Sequence, residues 1–149
     1  MLRNLSRLFI VGVVVALSLA GCASGPTFST IQSTLPALAA EKGRVYFYRE
    51  SSPVGAAIQP SIMMDGKAVG DSVPGGVFFV DAAPGNHEVA TSTEVERKLT
   101  FTLGAGQVRY VRTNISFGII AGRVQPELVD SKVGAGEIAG LSYTGSLPK

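Results

Sequence analysis

The chain is poor in the side chains that most often carry chemistry. Its 149 residues contain one cysteine, Cys22, and one histidine, His87. A single cysteine excludes an internal disulfide, and one cysteine with one histidine supplies too few ligands for a zinc site of the usual four-ligand kind. Neither a Gly-x-Ser-x-Gly turn nor a glycine-rich phosphate loop occurs. We therefore predict no metal, no cofactor and no catalytic residue, and a protein that is not an enzyme.

His87 is the residue on which an enzymatic alternative would depend. It follows the Pro84-Gly85 turn at the start of a predicted strand, on the same face as Val89. A catalytic histidine needs a nucleophile or an orienting carboxylate beside it, and the sequence alone places none there. We expect a structural role instead, as a capped or half-buried imidazole.

Long apolar runs are also scarce, and the clearest one stands at the N-terminus. Residues 8–19 (LFIVGVVVALSL) carry no charge and follow Arg3 and Arg7. A basic lead, a short apolar core and small residues are typical of a secretory signal peptide. A retained transmembrane anchor is the alternative, although a bilayer core needs about 20 apolar residues. We predict a signal peptide over residues 1–21.

The sequence LAGC at residues 19–22 resembles the bacterial lipoprotein lipobox. The resemblance implies cleavage between Gly21 and Cys22, a diacylglycerol group on the Cys22 sulfur, and a fatty acid such as palmitate on the new amine. Two or more acyl chains give stable membrane anchoring. A buried, inert cysteine is the alternative, but the surrounding segment is polar and rich in Gly and Pro. Ala23 and Ser24 lack the aspartate that retains enteric lipoproteins in the inner membrane, so the resemblance implies an outer-membrane location in the bacterial envelope.

Positive charge is not in excess once the signal peptide is removed. The whole chain has 13 Lys and Arg against 11 Asp and Glu, and loss of Arg3 and Arg7 leaves 11 against 11. No basic cluster with interleaved aromatics remains to follow a phosphate backbone. We therefore expect no nucleic-acid partner.

The mature chain divides into a tether, a β-domain and a C-terminal extension. Residues 22–42 are rich in Ser, Thr, Pro and Ala and predict a flexible tether that spans about 25 Å; a short helical turn near Pro36 is the alternative. Residues 43–130 alternate short apolar runs with Gly, Pro and Asp, which is typical of an all-β sandwich or barrel. Residues 131–149 predict a short helix at 131–139 and then a loose tail. We predict a single compact, mostly antiparallel β-sandwich.

Local patterns place several strands. RVYFYRE at residues 44–50 puts Val45 and Phe47 on one face, with tyrosines on the other. Asp65-Gly66 between apolar flanks predicts a hairpin. KLTFTL at residues 98–103 predicts Leu99, Phe101 and Leu103 inward, and RVQPELV at residues 123–129 predicts an edge strand because it contains a proline.

Two surface features offer binding hypotheses. Tyrosines and arginines on two predicted strands form an aromatic and cationic surface if the strands share a face, and ordinary cross-strand packing is the alternative. FGIIAG at residues 117–122 is an exposed apolar patch or a bulge packed into the core. The first set, called here the Tyr/Arg surface, consists of Tyr46, Tyr48, Tyr110, Arg44 and Arg109.

Two family resemblances follow from these patterns. The lipobox with GRVYFYR, MDGKAVG, APGNHEV and GRVQPELV resembles a family of small bacterial lipoproteins that carry a domain of unknown function. Residues 62–90 also resemble a PEGA-type repeat, in which a DGK hairpin precedes a Pro-Gly-x-His turn. Neither resemblance supplies catalytic residues. Together they imply a lipid-anchored envelope protein with a non-catalytic β-sandwich. We expect this domain to act as an interaction or structural module for an unidentified envelope protein. The alternative is a glycan or peptidoglycan-binding module that uses the Tyr/Arg surface.

Overall fold

The computed structural model describes residues 21–92, 96–117 and 122–147. Within these ranges the chain forms two short α-helices, α1 (Phe28–Ile31) and α2 (Ser131–Ile138), and a 3-10 turn at Gln32–Thr34. The same ranges contain nine strands: β1 (Gly43–Tyr48), β2 (Ser61–Met64), β3 (Lys67–Asp71), β4 (Gly76–Ala82), β5 (Gly85–Thr91), β6 (Arg97–Leu103), β7 (Val108–Phe117), β8 (Gly122–Val129) and β9 (Ser142–Tyr143).

The strands form two sheets. The five-stranded sheet has the order β8-β7-β1-β4-β9, and the four-stranded sheet has the order β3-β2-β5-β6. Only β1 with β7 and β4 with β9 pair in parallel among the described strands; every other pair is antiparallel. The prediction of a mostly antiparallel β fold is therefore confirmed.

One apolar cluster lies between the two sheets. Val45 and Phe47 of β1 face it, and both are fully buried. Phe101 and Leu103 of β6 enter it from the other sheet, as the alternation of KLTFTL predicts. The Thr91 hydroxyl donates to the carbonyl of a residue in β8 across 2.6 Å and so joins the sheets. This cluster is the core that the sequence pattern indicates.

A second apolar cluster covers the outer face of the five-stranded sheet. Tyr48 and Tyr110 contribute the sheet side of this cluster. Its other side comes from segments outside the predicted domain, with Phe28 and Leu35 before β1 and Ile138, Leu141 and Tyr143 after β8. The five-stranded sheet is therefore apolar on both faces, and the two chain ends cover the outer one.

This packing differs from the prediction for the chain ends. Residues 22–42 contain α1 and the 3-10 turn, and Phe28 is only 4% exposed, so the segment is not a free tether over its length. The predicted loose tail likewise contains β9, which pairs with β4, and the buried ring of Tyr143. Both segments are ordered because the outer face of the sheet would otherwise expose aromatic rings to water.

The predicted turns have the expected geometry. Asp65 and Gly66 have φ of 52° and 78°, the left-handed values that a tight two-residue hairpin requires. Pro84-Gly85 connects β4 to β5 and so carries the chain from one sheet to the other. Pro126 lies in β8 at the edge of its sheet, opposite Thr113, which confirms the edge assignment.

The predicted C-terminal helix is confirmed as α2. Asp130 caps it by accepting a 2.9 Å hydrogen bond from the Lys132 backbone. Gly134, a residue type that disfavours helix, lies directly against the Tyr110 ring, where a Cβ would collide with it. The glycine therefore lowers helix propensity but permits close packing of the helix on the sheet.

Three sequence predictions concern residues beyond these ranges. Residues 1–20 of the signal peptide and residues 118–121 of FGIIAG lie outside the described structure, as do the last two residues of the tail. In the part of the chain that is described, no helix is long and apolar enough to cross a membrane.

Candidate functional site

Cys22 lies at the surface, where its sulfur is accessible. Its side chain is exposed and belongs to neither apolar cluster. On one side of it the Gly21 carbonyl accepts a 2.9 Å hydrogen bond from the Gln59 amide. On the other side the Ala23 N–H donates to the Pro74 carbonyl at 2.8 Å. The predicted modification site is therefore exposed, and the backbone on both sides of it contacts the folded domain.

The tyrosines of the Tyr/Arg surface do share one sheet face. β1 and β7 pair in parallel with Tyr46 opposite Tyr110, and the two rings stack with centroids 5.3 Å apart. Tyr48 lies on the same side of β1, two residues further on. However, Tyr48 is 2% and Tyr110 is 9% exposed, because the chain ends cover this face. Only Tyr46 is partly open to solvent.

The two arginines of the surface do not join the tyrosines as free cations. Arg44 is buried, and it forms a bidentate ion pair with Asp81 at 2.7 and 2.8 Å. Its guanidinium also donates to the Pro36 carbonyl and lies 3.8 Å from the centroid of the Phe79 ring. Arg109 alternates to the opposite face of β7 from the tyrosines and contacts the backbone of β6. The predicted set is thus divided: one arginine holds the N-terminal segment, and the other belongs to the opposite face.

A partly buried polar network was not apparent from the sequence. The Tyr48 hydroxyl donates to one carboxylate oxygen of Glu137, and Arg112 donates to the other at 2.7 Å. Arg112 also reaches Glu127 at 3.3 Å. Burial, and then the hydrogen bond to Glu137, raise the pKa of Tyr48 far above its usual value. The network fastens α2 to the sheet, and its members are too far apart in sequence for any local pattern to reveal it.

A groove of about 400 Å³ remains between the two covering segments. Tyr46 and Tyr110 lie along it, and Phe28 and Ile138 flank them. Polar and small side chains complete the lining, namely Gln32, Ser33 and Ala135. An aromatic floor with a polar rim can stack against a flat ring and hydrogen-bond its substituents. The accessible part of the Tyr/Arg surface is therefore this groove.

His87 holds the β2–β3 hairpin against β5. Its Nδ1 lies 2.7 Å from the Asp65 carboxylate and its Nε2 lies 2.8 Å from the Ala83 carbonyl. The other Asp65 oxygen accepts from the Glu88 backbone at 3.0 Å. The side chain is 10% exposed, which agrees with a capped imidazole. Since both ring nitrogens are engaged, neither is free to accept a proton from a substrate in this arrangement.

The surroundings of His87 favour its charged form. Both of its partners are hydrogen-bond acceptors, so both bonds form together only when both ring nitrogens carry a proton. Burial lowers the pKa of His87, but the bonds to Asp65 and Ala83 outweigh burial and raise it. Burial raises the pKa of Asp65, and the bonds from Glu88 and His87 overcome that effect and lower it. The hydrogen bonds between the two side chains therefore favour the charged form of each.

No metal centre emerges from the described ranges. Within residues 21–92, 96–117 and 122–147, no group of three or more His, Cys, Asp or Glu side chains is arranged to hold a metal ion.

Comparison with known proteins gives a family and one curated relative. Residues 39–124 match the family described as "Protein of unknown function (DUF2846)". A protein of Haemophilus influenzae described as "Uncharacterized protein" is 30% identical over 142 residues, which cover 92% of this chain and 83% of that protein. No solved structure matches the chain. The predicted membership of a family with a domain of unknown function is confirmed, whereas the PEGA likeness stays a prediction: the chain belongs to the DUF2846 family.

Proposed function

We propose that the protein is a lipoprotein of the bacterial envelope, anchored in the outer membrane by acyl chains on Cys22. The observation that carries the proposal is LAGC at the end of a charge-free apolar run, with Cys22 exposed outside both clusters. An exposed cysteine beside Gly21 leaves room for a diacylglycerol group, which a core position would exclude. The β-domain, which we take to be a non-catalytic β-sandwich, then serves as an interaction or structural module at the membrane.

Intact mass spectrometry of protein extracted from membranes tests the anchor. We expect a chain that begins at Cys22 and carries the added mass of diacylglycerol and a fatty acid. A Cys22→Ser variant should keep its signal peptide or lose its membrane association. An unmodified wild-type chain that begins at Met1 contradicts the proposal.

A second candidate function is binding of glycan or peptidoglycan strands in the groove between α1 and α2. It is supported by the stacked Tyr46 and Tyr110 rings along that groove, since aromatic faces pack well against apolar ring faces. Tyr48, Arg44 and Arg109 have no part in this version, because they are buried or lie on the other face.

Co-sedimentation with purified peptidoglycan sacculi tests the second candidate. An Ala135→Arg change places a long side chain at the groove without removing any core group, and it should abolish saturable binding. Val133→Arg is the matched control, since Val133 is an exposed residue of the same helix that does not line the groove. Absence of binding by the wild-type protein, or equal binding by both variants, rules the candidate out.

A further inference from the structure

The segment that follows Cys22 is bound to the domain from its first residue. The Ala23 N–H donates to Pro74, the Phe28 N–H donates to Leu141 at 2.7 Å, and the Tyr143 N–H donates to Pro26 at 2.9 Å. Phe28 then buries its ring in the second cluster. No free length of chain separates Cys22 from the folded domain, so the point of anchoring is part of the domain surface.

The surface beside Cys22 is the loop between β1 and β2. Residues 51–60 (SSPVGAAIQP) contain no charged side chain. Ala56 lies next to Gly21, and Gln59 holds the Gly21 carbonyl. Val54 is 54% exposed and is one of the few large apolar side chains that the described structure leaves open. An uncharged loop with an outward valine is suited to the headgroup boundary of a bilayer.

Arg49 keeps this loop in place. Its guanidinium is buried and donates to the carbonyls of Gly55 at 2.9 Å, Ile58 at 2.7 Å and Ser72 at 3.2 Å. Arg49, which directly follows β1, thus holds two carbonyls of the loop and the carbonyl of the residue after β3. The loop and Cys22 therefore keep a fixed relation to each other.

The opposite pole of the domain differs in position and in charge. The turn at Ala105 adjoins the start of β1, because the Gly106 N–H donates to the Lys42 carbonyl. Residues 51–60 follow the end of β1, so the two poles are separated by at least the length of the strand, about 20 Å for six residues. Ala105 is exposed, and the Gly106–Lys42 hydrogen bond brings its turn close to Lys42 and to Glu41, the residue before it.

We propose that acylation of Cys22 seats residues 51–60 on the lipid surface, with Val54 in the headgroup region and the Ala105 turn facing away. The proposal rests on the proposed lipidation of Cys22. The partner of this loop is then the phospholipid bilayer. The domain is held in a single orientation and does not move freely on a tether. The packed segment after Cys22 acts as a strap that sets that orientation.

Fluorescence depth measurements on the full, lipidated chain test the orientation. A Val54→Cys variant is labelled with an environment-sensitive dye and reconstituted into vesicles of phosphatidylethanolamine and phosphatidylglycerol. In the lipidated chain the Cys22 sulfur is blocked, so the introduced thiol is the one that reacts. We expect emission at shorter wavelength and quenching by lipids that carry a spin label at headgroup depth. The same label on an Ala105→Cys variant should show neither effect, and equal quenching at the two positions overturns the proposal.

The strap is tested in the same assay. Adding Phe28→Ala to Val54→Cys removes the buried ring that holds the segment, and we expect quenching to fall to the level of the Ala105→Cys variant. Ser29→Ala is the matched control, because Ser29 is exposed in the same helix, and it should leave quenching unchanged. Full quenching in the Phe28→Ala background overturns the role of the strap; the comparison of the two label positions does not depend on this variant.

Intact mass of each labelled sample separates the two proposals. One dye per chain with acyl mass on Cys22, together with an unquenched label on the Val54→Cys variant, refutes the orientation and leaves the anchor standing. Two dyes per chain show that Cys22 is free, which refutes the proposed lipidation itself.

Discussion

Replacing Phe28 with alanine gives the sharpest test of whether the N-terminal segment is packed or free. The ring is 4% exposed and meets the Tyr46 ring edge-on, with centroids 5.4 Å apart and planes at 82°. It also approaches the Tyr143 ring, at 6.5 Å between centroids. If residues 22–42 were a flexible tether, the change would leave stability untouched.

The expected loss of stability follows from the burial of the ring. Phe→Ala changes in a core cost about 3–5 kcal/mol. We expect about 3 kcal/mol, because the second cluster lies on an outer face where neighbouring rings can partly close the space. With a urea m-value of about 2 kcal/mol/M, the unfolding midpoint should fall by about 1.5 M.

Urea unfolding of residues 22–149 with Cys22→Ser, followed by circular dichroism, is a suitable assay. Ser29→Ala is the control, since Ser29 is exposed in the same helix and such surface changes usually alter stability by less than about 0.5 kcal/mol. A Phe28→Ala effect as small as that of the control would show that the segment is a tether and would refute the packing argument.

Three further perturbations test other contacts. The pKa of His87 is raised in the folded state. Its contribution to the free energy of unfolding should therefore be complete below the unfolded-state pKa of about 6.5 and be lost as the pH rises through the folded-state pKa. His87→Leu should remove this pH dependence in urea titrations at several pH values. Glu137→Gln should destabilise the protein by about 1–2 kcal/mol, and should lower the pKa of Tyr48 in an absorbance titration because a negative charge is removed. Gly134→Ala should lower the free energy of unfolding by about 1–3 kcal/mol, because the added methyl group clashes with the sheet. Gly136 has open space around it, so Gly136→Ala should stabilise α2 by about 0.5–1 kcal/mol; thermal melts measure both effects.

The β-domain was largely predictable because its signals are local. Alternation in β1 and β6 identified the residues that face the inner core, and Asp65-Gly66 identified the hairpin from two adjacent residues. Pro126 marked the edge strand, since a proline has no N–H to donate to a neighbouring strand. Each of these features depends on the chemistry of a few consecutive residues.

The covering segments were not predictable in the same way. Phe28, Ile31 and Leu35 are three and four residues apart, as on one face of a helix, but the stretch is short and rich in Ser, Thr and Pro, so this spacing alone does not establish a packed segment. Their burial depends on Leu141 and Tyr143, which are more than 100 residues away in the chain. Whether the tyrosines of the Tyr/Arg surface are open or covered could not be predicted for the same reason, because tyrosine suits an exposed binding face and a covered one equally well.

The position of these segments bears on the proposed binding groove. The family match spans residues 39–124, yet the residues that cover the outer sheet face, from Phe28 to Leu35 and from Ile138 to Tyr143, all lie outside it. The groove exists only because these segments flank the tyrosines, and its rim comes from Gln32, Ser33 and Ala135.

A fragment limited to the family segment would therefore lack both its outer cover and its groove. The Haemophilus influenzae relative aligns over 92% of this chain, so the similarity extends beyond residues 39–124 and includes the covering segment from Phe28 to Leu35. The inner core then supplies the shared β-structure, and the chain ends supply the walls of the groove and the segment that would join the domain to the proposed anchor. Changes at the groove rim are accordingly expected to alter the proposed binding, whereas changes in either apolar cluster are expected to alter stability.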